Sequence, residues 1–217
     1  TVAIIQARMG STRLPGKVMR KIDGHPMIAY IIDRVQKIAD IDQLILATST
    51  NEREKPLVEY VQARGVNIFR GPEEDVLSRY YHAARQFEAD IILRVTGDNP
   101  FVDRPVAEEL IKMVREGCDY ASNNLVRTYP YGIDLEAFTM NTLVETHQKA
   151  DNPNHREHVT QYIHQNTEGF TLCNLEYSHD YSNIRLTVDT EEDFIQAQDI
   201  IEEYGGNARF EDFIEEI

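Results

Sequence analysis

The sequence is poor in the features that mark disulfide-rich, membrane-spanning and nucleic-acid-binding proteins. Its 217 residues include two cysteines and no tryptophan, and 22 basic residues stand against 37 acidic ones, giving a net charge of -15. Cys118 and Cys173 form neither a close pair nor a metal-type spacing with histidine, so we interpret both as structural thiols in a reducing cytosol. No apolar run approaches the ~18 residues that span a bilayer, which argues against a membrane protein.

The acidic charge also restricts the partners. A strongly negative surface repels polyphosphate chains and anionic lipids, so neither nucleic acid nor membrane is expected as the main partner. Residues 1–5 already have strand character without a basic leader before them, so we expect a cytoplasmic protein. The basic residues are unevenly spread, and those before the first acidic residue, Asp23, predict a local anion site: Arg8, Arg13, Lys17, Arg20 and Lys21.

Apolar periodicity predicts strands that alternate with helices, which is typical of an α/β fold with a mostly parallel, doubly wound sheet. The predicted strands are 2–7, 44–47, 66–69, 91–95, 170–175 and 184–188. The predicted helices are 26–38, 53–64, 73–88, 105–116, 139–150, 155–164 and 190–204. Because the regular alternation stops near residue 120, we expect a single domain, 1–217, with an inserted subregion at about 120–180.

A glycine-rich basic loop follows the first strand, at the edge of the sheet where such folds bind ligands. Its glycines let backbone amides close around an anion, and Arg8, Arg13 and Lys17 can bind phosphate oxygens. The loop is not a Walker A motif, because five residues separate Gly10 from Gly16. A triphosphate site is favoured, and a solvated surface turn is the alternative.

Two aspartates follow predicted strands at the same edge of the sheet. Asp98 comes after the strand at 91–95, although Asp-Asn-Pro also forms turns by itself. Asp189 directly follows the predicted strand 184–188, and capping of the next helix is its alternative role. Magnesium prefers carboxylates together with phosphates and waters, so the pair predicts a Mg²⁺ site for nucleotidyl transfer.

Three spaced motifs carry a family resemblance. Gln6 to Lys17 resembles the opening motif of the CMP-Kdo and CMP-sialic acid synthetase superfamily, 96–100 resembles its Gly-Asp-x-Pro motif, and 188–193 resembles its Val-Asp-Thr-x-Glu-Asp motif. The most similar branch is the one typified by spore-coat polysaccharide biosynthesis protein F. Its further motifs match Phe69-Arg70-Gly71, the segment from Asp75 to Tyr81, Arg127-Thr128-Tyr129-Pro130 and the segment from Arg156 to Thr160.

The resemblance implies a three-layer, Rossmann-like nucleotide-diphospho-sugar transferase fold, often dimeric, that uses CTP and Mg²⁺. It implies catalytic roles for Arg8, Lys17 and Asp98, and metal binding by Asp98 and Asp189. The implied nucleotide-binding residues are Ala7, Arg8, Gly10, Ser11, Arg13, Lys17, Arg70, Ser78 and Thr96. Thr96 departs from the glutamine common at this position in the CMP-Kdo and CMP-sialic acid enzymes, so the contacts to the base differ from theirs.

The subregion supplies candidate acceptor-binding residues. They are Arg127, Tyr129, Asp134, Glu136, Arg156 and His158. Two arginines suit a carboxylate or phosphate, whereas His155-Arg156-Glu157-His158 lacks a zinc-type spacing and is typical of a polar helix start.

Taken together, these features predict a cytidylyltransferase, expected as a homodimer, that joins CMP to a small acidic or phosphorylated acceptor, for surface polysaccharide synthesis. Three alternatives stay open. The first is a nucleotidyltransferase that uses a sugar phosphate or phosphonate with another NTP. The second is a glycosyltransferase on the same fold, and the third is a non-catalytic nucleotide-binding protein.

Overall fold

A seven-stranded sheet organises the chain, and the computed structural model describes all 217 residues. The strands are β1 (Val2–Gln6), β2 (Lys21–Ile22), β3 (His25–Pro26), β4 (Gln43–Ser49), β5 (Asn67–Gly71), β6 (Ile91–Thr96), β7 (Tyr120–Ser122), β8 (Glu136–Thr139) and β9 (Leu172–Asn174). The sheet order is β5-β4-β1-β6-β8-β7-β9, and β2 with β3 forms a separate ribbon. Only β8 runs antiparallel to its neighbours, so the expected mostly parallel sheet is confirmed.

Helices cover both faces of the sheet. They are α1 (Met27–Val35), α2 (Lys55–Ala63), α3 (Val76–Gln86), α4 (Arg104–Arg115), α5 (Met140–Lys149), α6 (Pro153–Glu157), α7 (Gln161–Gln165) and α8 (Glu191–Tyr204). One apolar cluster includes residues of α1, α4 and α8, and a second includes residues of α3 and α5. The expected three-layer arrangement is therefore present. No helix combines the length and apolar character needed to cross a membrane.

Strand β1 shows why the sheet forms at the centre. Its side chains alternate, so that Ala3 and Ile5 pack in one apolar cluster while Val2 and Ile4 pack in the other. All four are buried, as expected for a parallel strand covered on both faces. Burial of each of the three larger side chains, Val2, Ile4 and Ile5, contributes about 1.5–3 kcal/mol to the stability of the fold. This strand therefore holds the loop that follows it on a rigid base.

Two predicted elements differ from the structure. The segment 184–188 is not a strand, because its one sheet-like contact is an isolated bridge between Tyr131 and Arg185. Leu186 and Val188 are buried, which produced the strand-like alternation without a hydrogen-bonded ladder. The predicted helix 155–164 is divided into α6 and α7, because Val159 between them adopts a left-handed backbone with φ of 48°.

The two cysteines are also placed differently from our expectation of separate thiols. Cys118 and Cys173 form a disulfide, with Cα atoms 6.0 Å apart across a sequence separation of 55 residues. Cys118 lies just before β7, and Cys173 lies in β9, which pairs with β7. The expectation was wrong because strand pairing, which the spacing of the cysteines does not reveal, brings them together.

The segment 120–180 does not stand apart from the sheet. Its three strands, β7, β8 and β9, extend the same sheet beyond β6, and its helices α5 to α7 pack on the α3 side. The division into one domain with an inserted acceptor or dimer subregion stays a prediction.

Candidate active site

A polar cavity of about 380 Å³ opens at the carboxyl ends of β1 and β6. Nine of the predicted site residues line it: Ala7, Arg8, Ser11, Arg13, Lys17, Thr96, Asp98, His158 and Asp189. They come from four separate stretches of the chain that the parallel sheet and α6 bring to one place. The carboxyl edge of a doubly wound sheet is the usual ligand position in such folds.

The loops that follow β1 and β6 lie directly against each other. The backbone N–H of Gly97 donates to the carbonyl of Gln6 over 2.8 Å. A Cβ on Gly97 would lie 2.6 Å from the Cβ of Ala7, so only glycine permits this approach. Gly16 closes the basic loop with a φ of 68°, and its N–H donates to the carbonyl of Met9 over 3.0 Å. The glycines therefore bring Asp98 next to the basic loop.

Glu54 holds the basic loop from beneath, a role that the sequence did not suggest to us. Its side chain is fully buried, and one carboxylate oxygen accepts a hydrogen bond from the backbone N–H of Met9 over 2.7 Å. The hydroxyls of Thr48 and Ser49 donate to the same carboxylate. Because a buried carboxylate can accept several donors at once, it fixes the loop backbone where the anion site begins.

Replacing Glu54 by Gln is expected to loosen this loop. An amide presents N–H groups where the carboxylate accepts only, so at least one of the donors loses its partner, at a cost of about 1–3 kcal/mol in unfolding free energy. The affinity for the nucleoside triphosphate expected at this loop should fall as well, because the loop amides shift. Denaturant unfolding and nucleotide titration measure both effects. Glu52→Gln, at an exposed position two residues earlier, is the matched control, and equal behaviour of the two variants would contradict the role of Glu54.

Asp98 and Asp189 converge on the ammonium group of Lys17. The Nζ atom lies 3.0 Å from an oxygen of Asp189 and 3.9 Å from an oxygen of Asp98. It also donates to the carbonyl of Val188 over 2.7 Å. The backbone joins the same two loops, since the N–H of Val188 donates to the carbonyl of Asp98 over 2.8 Å. The two aspartates, 91 positions apart in the chain, are thus within reach of one cation.

Asp189 is held by several cations. Besides Lys17, Arg13 lies 3.0 Å and Arg185 lies 2.5 Å from its second carboxylate oxygen. Burial alone would raise the pKa of Asp189, but Lys17, Arg13 and Arg185 together lower it below its usual value. The N-cap of α8 is Thr190 rather than Asp189, and Asp193 completes that capping box. The carboxylate of Asp189 is therefore free of a capping role and faces the cavity.

The donor set fits a divalent cation that arrives with a polyphosphate. One oxygen of Asp98 is buried and accepts no hydrogen bond, so it offers an unused ligand. No cluster of three or more histidine, cysteine or acidic side chains could hold a metal ion by itself. Magnesium takes oxygen ligands and is commonly bound by one or two carboxylates plus substrate phosphates, and Asp98 with Asp189 matches that requirement.

The other predicted residues lie outside the cavity. Gly10 packs against Arg53, Arg70 donates to the carbonyls of Ser49 and Asn51, and Ser78 lies in the first turn of α3. Among the predicted acceptor-binding residues, Arg156 pairs with Asp75 over 2.6 Å.

The remaining acceptor candidates contact other residues of the protein. Arg127 pairs with Asp134 and stacks on Tyr131. Tyr129 is buried against Tyr177 and Phe210. The binding roles assigned to these residues stay predictions.

Sequence reasoning missed part of the cavity wall, which also includes Gln6, Thr12, Val18, Arg94, Gly97 and Glu157. Val76 and Arg79 line the cavity too, and they lie within the strip from Arg70 to Arg79 that the family resemblance places near the nucleobase. Arg94 carried a usable signal, because it is the one charged residue in the apolar strand Ile-Ile-Leu-Arg-Val-Thr. Glu136, which the sequence predicted to bind the acceptor substrate, lies opposite Arg94 on the neighbouring strand β8 and forms an ion pair with it.

The mostly parallel sheet with helices on both faces places the protein in the Rossmann-like class of α/β proteins. The structure of CMP:2-keto-3-deoxy-manno-octonic acid synthetase complexed with CTP superposes with a TM-score of 0.72 at 21% identity, covering 93% of this chain and 98% of that one. That likeness concerns the fold, and it confirms the expected architecture.

The chain belongs to the cytidylyltransferase family, whose model matches residues 2–211. It is 36% identical to the spore coat polysaccharide biosynthesis protein SpsF of Bacillus subtilis over 88% of this chain and 82% of that protein. The structure of a cytidylyltransferase from Leptospira borgpetersenii superposes with a TM-score of 0.94 at 30% identity, covering 99% of this chain and 92% of that one. The predicted family resemblance is confirmed.

Proposed function

We propose that this protein transfers the CMP group of CTP to an oxygen of a small acidic acceptor, with a sugar acid as the favoured class, and releases pyrophosphate. The observation that carries the proposal is the convergence of Asp98 and Asp189 on Lys17 beside a basic, glycine-rich loop. Membership of the cytidylyltransferase family supports the choice of reaction. Similarity to a spore coat polysaccharide biosynthesis protein supports a role in polysaccharide synthesis, and the likeness in fold to a synthetase that binds CTP supports CTP as the donor.

The reaction is an in-line displacement at the α-phosphorus. An acceptor oxygen forms the new P–O bond, the bond from the α-phosphorus to the α,β-bridging oxygen breaks, and pyrophosphate departs with that electron pair. The acceptor hydroxyl proton goes to solvent. Arg8, Arg13 and Lys17 stabilise negative charge on the transferring and departing phosphates, because fixed cations act most strongly where charge develops. No covalent enzyme intermediate is required.

Asp98 and Asp189 would hold a magnesium ion. When bound, magnesium supplies charge neutralisation and alignment of the phosphate oxygens. Lys17 pairs with both carboxylates, and a triphosphate offers its ammonium group an alternative partner. The residues therefore fit joint binding of nucleotide and metal better than binding of the metal alone.

Pyrophosphate release tests the proposal. The four NTPs are each combined with a panel of nonulosonic acids, Kdo and sugar phosphates, with and without Mg²⁺. We expect release only with CTP, an acidic acceptor and the metal. Release with another NTP and a sugar phosphate would favour the alternative nucleotidyltransferase. Binding of CTP without any metal-dependent release would identify a non-catalytic nucleotide-binding protein.

We further propose a cytoplasmic location and a homodimer, which the sequence led us to expect. Light scattering of the purified chain and cell fractionation test these two points independently of the activity.

A further inference from the structure

Arg94 brings a positive charge to a part of the cavity that the basic loop does not occupy. It lies in β6, on the same face as Thr96, and both line the cavity. The other arginines and the lysine of the cavity come from the loop after β1 or from α3: Arg8, Arg13, Lys17 and Arg79. In the sheet order, β6 and β8 lie on one side of β1, and β4 and β5 lie on the other. Among the basic residues of the cavity, Arg94 is therefore the one that lies on the side of β1 towards β8.

A buried acid holds Arg94 in place. Glu136 of β8 lies opposite Arg94 in the strand register, and the two side chains form an ion pair. Glu136 also accepts hydrogen bonds from the hydroxyls of Tyr120, over 2.6 Å, and Thr160, over 2.7 Å. Burial alone would raise the pKa of Glu136, but Arg94 and these hydrogen bonds lower it, so the acid stays ionised. A fully bonded carboxylate of this kind keeps the guanidinium in one orientation.

The same acid fixes a second wall of the cavity. Thr160 ends the turn between α6 and α7, in which Val159 adopts its left-handed backbone and His158 lines the cavity. A left-handed conformation of a β-branched residue costs about 1–3 kcal/mol and persists only where neighbouring contacts impose it. Val159 is buried, and the Thr160 hydroxyl bonds Glu136. Glu136 thus contacts Arg94 directly and is linked to His158 through Thr160, whose hydroxyl donates to Glu136 and whose backbone N–H donates to the carbonyl of His158.

The guanidinium keeps unused donor capacity. One terminal nitrogen pairs with Glu136, Nε is buried without a hydrogen-bond partner, and the second terminal nitrogen makes only a long contact of 3.5 Å to the side-chain oxygen of Gln6. That second nitrogen can therefore donate a charge-assisted hydrogen bond to a carboxylate in the cavity. Because Glu136 offsets much of the charge of Arg94, the pair attracts a phosphate dianion only weakly, and this weak attraction does not compensate the larger cost of removing water from the dianion, so a monoanion suits the pair better.

We propose that Arg94 binds the carboxylate of the acceptor and that Glu136 is its positioning residue, so that this pair selects sugar acids over sugar phosphates. The inference rests on the proposed function and specifies its acceptor site. The basic loop and α3 then take the nucleotide, and the β8 side takes the acceptor. The two substrates approach from opposite sides of β1.

The test separates acceptor binding from nucleotide binding. Kdo and N-acetylneuraminate, together with their methyl esters, are titrated into the protein in the presence of Mg²⁺ and a non-hydrolysable CTP analogue. The wild-type protein should bind at least one acid more tightly than its ester. In Arg94→Gln the acid should bind about 10- to 100-fold more weakly, the range expected for a charge-assisted hydrogen bond, while affinity for the CTP analogue changes less than about twofold. Arg79→Gln, on the α3 side, should show the opposite pattern.

Two further variants distinguish positioning from folding. In Arg94→Ala, added guanidinium should restore acid binding without changing affinity for the CTP analogue or the melting temperature, whereas repair of a structural defect would raise all three together. Thr160→Val keeps both charges and removes one hydrogen bond to Glu136, so it should weaken acid binding about threefold to tenfold without changing affinity for the CTP analogue. Melting curves of all variants report whether the fold is retained.

The outcomes also separate this inference from the proposed function. If the wild-type protein does not prefer any acid over its ester, or if Arg94→Gln keeps that preference, the assignment of Arg94 is overturned. Pyrophosphate release with CTP in the same preparations would then leave the cytidylyltransferase proposal intact. The absence of release with every acceptor would contradict the proposed function instead.

Discussion

Replacing Asp98 by Asn is expected to lower kcat by about 100- to 1000-fold, the usual effect of removing one group that stabilises transition-state charge. The asparagine keeps the shape of the side chain but removes the anionic ligand, one oxygen of which is buried without a hydrogen-bond partner. Because no ion pair closer than 3.9 Å depends on Asp98, the fold should be retained. Pyrophosphate release as a function of Mg²⁺ concentration measures the effect, together with a melting curve.

Asp199→Asn provides the matched control, since Asp199 is an exposed aspartate on α8 and the same charge is removed there. We expect turnover of this variant to match the wild type within about twofold. If Asp98→Asn retained the wild-type kcat and the same dependence on Mg²⁺, Asp98 would not be a metal ligand, and the proposed chemistry would lose its main support.

Replacing Lys17 by Met is expected to lower kcat/KM for CTP by about 100-fold. The side chain is only 10% exposed and its ammonium joins both carboxylates, so no other cation takes its place at this point. Asp98 and Asp189 would repel each other and the triphosphate more strongly without it. Steady-state kinetics with CTP varied, at saturating Mg²⁺, measures the loss.

The same variant should change the dependence of stability on pH. The pKa of Asp189 is lowered in the folded protein, so its ion pairs stabilise the fold above its usual pKa of 3.8, and that stabilisation is lost as the pH falls through the lowered value. In Lys17→Met this acid-dependent loss should be smaller, although Arg13 and Arg185 still pair with Asp189. Lys21→Met, at an exposed position, is the control. An unchanged acid profile in Lys17→Met would show that Lys17 does not set the charge of Asp189.

Much of the fold could be predicted from local patterns. The alternation of apolar segments identified the strands β1, β4, β5 and β6, because a parallel strand covered on both faces needs an apolar run. The helix 190–204 was predicted within one residue of α8, since Thr190 and Asp193 form a capping box and a glycine ends the helix. Where the pattern depended on a distant partner it failed, as in 184–188, which has buried apolar residues but no neighbouring strand.

For the candidate site, too, local sequence predicted some features, and others became visible only in the tertiary structure. The sequence by itself determined the basic glycine loop, the two aspartates after strand-like segments and the family motifs, because each depends on residues adjacent in the chain. Tertiary structure alone decided that Lys17 lies between the aspartates, that Glu54 holds the loop and that Glu136 holds Arg94. It also joined Cys118 to Cys173. These contacts link residues 45 to 172 positions apart, or come from neighbouring strands, and such distances are set by strand order rather than by any local pattern.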